Sequence, residues 1–138
     1  KGRVWSPHIW SILEGKNKIT VSVIEAMDKV DTGDIWAQTQ IIFEGHELYD
    51  EINHKLFIAE LNLMTIVINN INSLSPKKQR GNPGPYYRKR TPKDSEIDIL
   101  KNIDEQFQKL RVADSKRYPA YFIKNGIKYI VKIKKEDN

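Results

Sequence analysis

The stretch Met27-Asp28-Lys29-Val30-Asp31-Thr32-Gly33-Asp34-Ile35 joins two apolar runs rich in β-branched residues, at positions 19–26 and 35–43. This pattern predicts two strands connected by a tight acidic turn. Gly33 is interpreted as the source of the backbone freedom that such a turn needs. The spacing alone favours a plain hairpin or loop. The alternative is that Asp31 is a catalytic carboxylate held at the end of a strand.

Composition limits the classes of protein to which the chain can belong. It has 138 residues, of which 39% are hydrophobic and 30% charged, enough for one domain with a core. The absence of cysteine excludes a disulfide framework and a thiolate metal site. Because the chain starts at Lys1 and opens on what reads as the middle of a loop, we expect a fragment of a longer protein. With no apolar run of membrane-spanning length and no leader, we expect it to be cytoplasmic.

The remaining elements follow from periodicity. Residues 8–14 predict a short helix, and residues 47–73 predict a long one because apolar side chains recur every three or four positions. A proline- and glycine-rich arm follows. Ser95 is the predicted N-cap of a further helix, and Asn125-Gly126 predicts a hairpin turn between strands 118–123 and 127–133. The predicted units are residues 1–74, a basic linker arm at 75–95, and a helix and hairpin at 96–138.

The net charge of +5 permits a nucleic acid or nucleotide partner, although a solvated basic surface explains it equally simply. In the arm, Tyr86 and Tyr87 precede three cations, Arg88 to Arg90. Such a patch can stack a base and hold phosphates, or it can attach the arm to the domain. The histidines show no paired spacing typical of metal ligands, so no metal is expected.

Taken together, several motifs resemble a known family. Gly2-Arg3-x-Trp5-Ser6-Pro7, then Leu13-Glu14-Gly15, a strand and Asp31-Thr32-Gly33-Asp34-Ile35 resemble the second half of the 10-formyltetrahydrofolate-dependent formyltransferase domain. Residues 88–94 and 118–122 resemble the segment that follows this domain in sugar-nucleotide N-formyltransferases and methionyl-tRNA formyltransferase. The resemblance implies an α/β fold: half of a Rossmann-like domain, then a small α+β subdomain of a helix and a β-hairpin.

The resemblance also implies a site. In this family an amine attacks the formyl carbon of 10-formyltetrahydrofolate, and an Asn-x-His motif acts with a remote aspartate that corresponds to Asp31. The Asn-x-His motif would lie upstream of Lys1. The implied folate contacts are Asp31 and Gly33, while Asp34 holds the turn. Val4 stands where the family usually has glycine. The implied substrate-binding residues are Arg3, Trp5, Ser6, Pro7, His8, Tyr86, Arg88 and Tyr118.

The favoured substrate is a nucleotide-linked amino sugar used for surface polysaccharide or glycan synthesis, because the motifs around Trp5 and Tyr118 are more similar to those of the sugar enzymes. Methionyl-tRNA is the alternative within the class. A non-catalytic module that binds anions or nucleic acid is the alternative outside it. The resemblance further implies a homodimer formed through the C-terminal portion and no membrane partner. We expect the 138 residues alone to be inactive.

Overall fold

The computed structural model describes residues 3–80 and 84–136, with only the backbone given for Arg3 and Val4. Within these residues the chain forms six strands, three α-helices and one 3₁₀ turn. The strands are β1 (Arg3–Val4), β2 (Lys18–Ile24), β3 (Ile35–Ile42), β4 (Tyr86–Tyr87), β5 (Ala120–Lys124) and β6 (Ile127–Val131). The helices are α1 (Pro7–Leu13), α2 (Tyr49–Asn69) and α3 (Ile103–Arg111), and the 3₁₀ turn is Pro92–Ser95.

The two β-branched runs form the predicted antiparallel hairpin. β2 pairs with β3 from Lys18 opposite Ile42 onward, and the register shifts between Val23 and Ile24, next to the acidic connection. β-Branched side chains fit the pleated surface of a half-buried sheet, which is why these two segments pair. The hairpin therefore presents the loop of residues 25–34 at its end.

Helix α2 packs over this hairpin and closes the core. Its Ile52, Leu63 and Val67 are buried, and all three belong to the predicted apolar repeat of three to four residues. The innermost cluster brings together α1, β3, α2 and the residue after α3. Its buried members are Ile9, Ile12, Ile41, Phe43, Ile52 and Val112.

A buried ion cluster ties α3 to the start of α2. The Glu47 side chain is 1% exposed and accepts hydrogen bonds from Lys55 Nζ at 2.5 Å and Arg111 Nη2 at 3.0 Å. Arg111 Nε also donates to the backbone carbonyl of Glu47, at 2.8 Å. The carboxylate is therefore neutralised by two cations and joins the start of α2 to α3, which is distant in sequence.

The proline- and glycine-rich arm is held against the domain by backbone pairing. β4 pairs in parallel with β1, with Val4 opposite Tyr87. Val4 therefore has extended backbone, so a β-branched residue is tolerated where the resembling family usually has glycine. Lys77 and Ile35 exchange two backbone hydrogen bonds of 2.8 and 2.9 Å. Residues 81–83 of the predicted arm lie outside the described part.

The helix predicted to begin after Ser95 begins instead at Ile103, so this prediction was wrong. Asp94 accepts the backbone N–H of Thr91 at 2.6 Å and closes a 3₁₀ turn that contains Ser95. The next residues are extended, and the N–H of Ile97 donates to Tyr121 O at 2.7 Å. Asn102 caps α3 by accepting the N–H of Glu105 at 2.9 Å. Tertiary pairing with β5 thus outcompetes the helical pattern.

The hairpin turn at the C-terminal end is as predicted. Asn125 and Gly126 have φ values of 53° and 76°, the left-handed pair that a two-residue turn between twisted strands requires. β5 begins at Ala120, two residues after the predicted start. Among residues 3–80 and 84–136, no helix has an apolar stretch long enough to cross a membrane.

Candidate active site

The loop of residues 25–34 holds Asp31 in a constrained conformation. The loop is closed at its base by a 2.8 Å hydrogen bond from the N–H of Glu25 to the carbonyl of Asp34. Thr32 Oγ1 donates to Lys29 O at 2.7 Å inside it. Asp31 has a φ of 60°, in the left-handed region that non-glycine residues seldom occupy. Such a conformation persists only where the surrounding structure imposes it, and it is common at functional sites.

Gly33 is required for close packing, which corrects the interpretation based on turn flexibility. Its φ is not among the positive values, and the residue is buried. A Cβ at this position would lie 1.8 Å from the carbonyl oxygen of Glu25. The missing side chain therefore lets the two sides of the loop meet.

Gln79 fixes the loop from the arm, a role that no sequence signal indicated. Its Nε2 donates to the carbonyls of Asp31 at 3.0 Å and Gly33 at 2.7 Å. The polar arm residue thus satisfies two backbone acceptors on either side of Thr32. Together with the Lys77–Ile35 pair, it makes the arm a support for the loop.

Asp31 borders a cavity of about 600 Å³ shared with the segment before and at the start of α1. Of the predicted site residues, Ser6, Pro7, His8 and Asp31 line it. Asp31 is half-buried. The structure thus brings the acidic turn and the predicted substrate loop to one cavity, although they are more than twenty residues apart in sequence.

The entry to α1 is strained where it borders the cavity. Ser6 has a φ of 44°, and its carbonyl accepts the N–H groups of Ile9 at 3.0 Å and Trp10 at 3.3 Å. Pro7 occupies the first helical turn, where its missing N–H costs no hydrogen bond. Two left-handed residues, Ser6 and Asp31, thus face the same cavity.

His8 is half-buried and hydrogen-bonded. Its Nε2 lies 3.2 Å from Oδ1 of Asn53 on α2. Burial lowers the pKa of His8, and the charge of Arg90 lowers it further. The hydrogen bond to Asn53 raises the pKa but does not outweigh burial. The imidazole is therefore neutral at neutral pH and can exchange a hydrogen bond with a ligand or with Asn53.

The lining of the cavity also contains cations that no sequence motif indicated. Lys16 and Lys18 line it, and Lys16 Nζ lies 2.5 Å from a carboxylate oxygen of Glu14. Tyr87, also in the lining, donates its hydroxyl to the same carboxylate at 2.8 Å. The lining therefore carries two acids, Asp31 and Glu60, and two cations, Lys16 and Lys18, of which Lys16 is paired with Glu14. It suits a ligand with both donor and anionic groups.

The other predicted substrate residues lie outside the lining of this cavity. Trp5 and Tyr86 are exposed by 48% and 71%, and Lys89 Nζ lies 5.4 Å from the Trp5 ring. Arg88 makes an ion pair with Asp94, which lowers the pKa of Asp94 to about 2.

The Arg88 guanidinium also covers the Trp10 ring at 4.9 Å. The ring of Tyr118 packs under Arg90 at 4.9 Å. The side chain of Arg3 is outside the described part. Among the described residues, no group of three or more histidines and acids could hold a metal ion.

Comparison with known proteins gives relatives in sequence and in structure. No protein-family model matches the chain. Methionyl-tRNA formyltransferase of Ehrlichia canis (strain Jake) is 30% identical over 122 residues, which are 88% of this chain and 38% of that protein. A 4-N formyltransferase from Francisella tularensis superposes with a TM-score of 0.78 at 27% identity, over 99% of this chain and 58% of that one.

A further solved structure shares the fold. HypX from Aquifex aeolicus, determined in complex with tetrahydrofolic acid, superposes with a TM-score of 0.71 over 96% of this chain and 23% of that chain. Its identity of 17% shows the fold alone. The chain spans 38% of the length of the Ehrlichia relative and 58% of the Francisella chain, less than two thirds of either.

Proposed function

The chain belongs to the formyltransferase family, and on that premise we propose that it forms part of an enzyme that moves a formyl group from 10-formyltetrahydrofolate to an amine. The observation that carries the proposal is the cavity shared by Asp31 and residues 6–8. The proposed acceptor is the amine of a nucleotide-linked amino sugar. This activity belongs to the full-length protein, whose upstream part would complete the site.

The proposed role of Asp31 is electrostatic. An attacking amine must lose a proton, and a fixed carboxylate stabilises the group that takes it. The left-handed backbone of Asp31, held by Gln79 and by contact across Gly33, fixes the point from which that side chain extends. By resemblance its partner is a histidine upstream of this chain.

The residues present fit a folate co-substrate. When bound, 10-formyltetrahydrofolate supplies the electrophilic formyl carbon. A folate offers ring N–H donors and a carboxylate tail, and the cavity lining includes the acids Asp31 and Glu60 and the cations Lys16 and Lys18. This charge arrangement supports folate binding, as does the tetrahydrofolic acid in the HypX structure.

The sugar-nucleotide substrate is supported by exposed aromatic rings beside cations. β1 and β4 pair, with Arg3 opposite Tyr86 and Val4 opposite Tyr87. Trp5 follows β1 directly, so the pairing brings the segments that carry Trp5 and Tyr86 side by side. A base can stack on these rings, and Lys89 can hold a phosphate. Stacking contributes roughly 1–3 kcal/mol per base. We therefore expect Trp5→Ala or Tyr86→Ala to raise the KM for the nucleotide sugar by about 5- to 150-fold while the KM for the folate stays unchanged.

The test is a formylation assay with the full-length protein, 10-formyltetrahydrofolate and a panel of nucleotide-linked amino sugars, with methionyl-tRNA as the competing acceptor. Tyr129→Ala is the matched control, because Tyr129 is 46% exposed on the distant hairpin. The proposal predicts formylation of at least one sugar nucleotide, and thermal stabilisation by that ligand.

Two other results would replace the proposed substrate. Formylation of methionyl-tRNA alone would support the second candidate, which the Ehrlichia relative and the net charge of +5 favour. Absence of any transfer, combined with RNA binding that weakens steeply with salt, would show a nucleic-acid-binding module instead.

A further inference from the structure

His8 at the start of α1 meets Asn53 of helix α2. Nε2 of His8 lies 3.2 Å from Oδ1 of Asn53. The other amide atom, Nδ2 of Asn53, donates to the backbone carbonyl of Tyr49 at 3.0 Å, one turn earlier in α2. The opposite orientation of the amide would set its oxygen against that carbonyl oxygen, two acceptors with no proton between them. The amide oxygen of Asn53 therefore faces the imidazole.

This orientation fixes which ring nitrogen of His8 carries the proton. Because Oδ1 of Asn53 can only accept, Nε2 of His8 donates, and Nδ1 of a neutral imidazole then holds a lone pair. Burial and the charge of Arg90 lower the pKa of His8, so the ring is neutral at neutral pH. Nδ1 receives no hydrogen bond from the part of the chain that the structure describes. The uncommitted polar atom that His8 brings to the Asp31 cavity is therefore a hydrogen-bond acceptor.

We infer that Asn53 is a positioning residue that keeps His8 in this tautomer, so that Nδ1 accepts a hydrogen bond from the amino group of the sugar substrate. This role rests on the proposed function. An amine attacks the formyl carbon with its lone pair. A donor on the protein would occupy that lone pair, whereas an acceptor binds an N–H and leaves the lone pair available to the carbon. His8 lies in the same segment as Trp5, the proposed stacking surface for the base, which assigns the contact to the sugar nucleotide rather than to the folate.

Nuclear magnetic resonance of the full-length protein, with isotopically labelled histidine, tests the tautomer without substrate. The two ring nitrogens give different chemical shifts with and without a proton, and His8→Leu assigns their signals. We expect His8 to be protonated at Nε2 only, and to become a mixture of both tautomers in Asn53→Leu. Asn62→Leu is the matched control, because Asn62 is exposed on the same helix, and it should keep the single tautomer.

The same signals test the contact with the substrate. The probe is an amino-sugar nucleotide that the formylation assay identifies. Its addition should shift the Nδ1 signal of His8, whereas an analogue with hydrogen in place of the amino group should not.

Formylation kinetics test the consequence for the reaction. Asn53→Leu should lower kcat/KM for the amino-sugar nucleotide about 2- to 10-fold, the loss of one hydrogen bond, and leave the KM for the folate unchanged. Because Asn53 acts through His8, the double variant should lose no more than His8→Leu alone. Asn62→Leu should match the original protein. Circular dichroism checks folding, and Asn53→Ala replaces Asn53→Leu if that variant does not fold.

Several results would overturn the inference. These are a His8 ring protonated at Nδ1 in the original protein, an unchanged tautomer in Asn53→Leu, equal shifts with the two nucleotides, and additive losses in the double variant. Failure of the proposed function has a different signature, since no amino-sugar nucleotide would then be formylated. The spectrum of the original protein, which needs neither a substrate nor a variant at Asn53, decides the tautomer in either case.

Discussion

Replacing Gly33 with alanine should disturb both stability and the proposed site. The added Cβ would lie 1.8 Å from the carbonyl oxygen of Glu25, a backbone atom that cannot rotate away. Relieving the overlap requires the two sides of the loop to separate by roughly 1 Å, an overpacking change that typically costs 1–3 kcal/mol. The separation also strains the hydrogen bonds that Asp34 and Gly33 accept, worth about 1 kcal/mol each.

We therefore expect Gly33→Ala to lower the free energy of unfolding by about 3 kcal/mol and Tm by about 10 °C. Differential scanning calorimetry measures both. Gly15→Ala is the matched control: Gly15 has a φ of +77° but no atom within 4 Å of its added Cβ. It should cost only about 1–2 kcal/mol, the left-handed penalty for alanine.

The two variants should also differ in activity. Gly33→Ala moves the backbone next to Asp31 and should reduce formyl transfer by the full-length protein, while Gly15→Ala should leave it unchanged. A Gly33→Ala protein that melts within about 3 °C of the original and keeps its activity would refute the close packing on which this reasoning rests.

Three further changes probe other contacts. Glu47→Gln leaves buried Arg111 without its charge partner and should lower the free energy of unfolding in urea by about 3–5 kcal/mol. The control Glu51→Gln, at an exposed ion pair, should cost less than about 1 kcal/mol. Equal effects of the two substitutions would contradict the buried cluster. Burial raises the pKa of Glu47, but hydrogen bonds from Lys55 and backbone N–H groups outweigh this and lower it to about 2. Because the pKa is depressed on folding, the stabilisation exists above pH ~4.5 and is lost as pH falls towards 2, so unfolding measured against pH should be less acid-sensitive in Glu47→Gln. Gln79→Ala removes the donor to two loop carbonyls and should cost about 1–2 kcal/mol and lower activity, and retention of full activity would show that the arm does not position Asp31.

The sequence predicts those elements whose local pattern agrees with their final packing. The β2–β3 hairpin, helix α2 and the Asn125-Gly126 turn follow from β-branched runs, apolar periodicity and left-handed turn residues. The start of α3 does not, because residues 96–97 pair with β5, a contact distant in sequence. Local propensity could not show that this pairing would end the helical pattern.

In the candidate site, too, the sequence identifies residues that belong to a motif and misses those that act through tertiary contacts. Asp31 and Ser6–His8 could be assigned by family resemblance, and the structure places them on one cavity. Gln79, Asn53 and Lys16 could not be identified, because each acts through a tertiary contact and belongs to no motif. The sequence of the turn predicts that Gly33 provides flexibility. It cannot show that the Glu25 carbonyl approaches this residue from the other side of the loop.

The most direct test of the central claim is the rate of formyl transfer by the full-length protein carrying Asp31→Asn. Asparagine keeps the shape of the side chain and its tolerance of left-handed backbone but removes the charge. The account predicts a fall in kcat/KM of about 10²–10⁴-fold, with Tm close to that of the original and with the exposed loop variant Asp28→Asn fully active. An Asp31→Asn enzyme within about threefold of the original rate would contradict the claim that this carboxylate carries the chemistry.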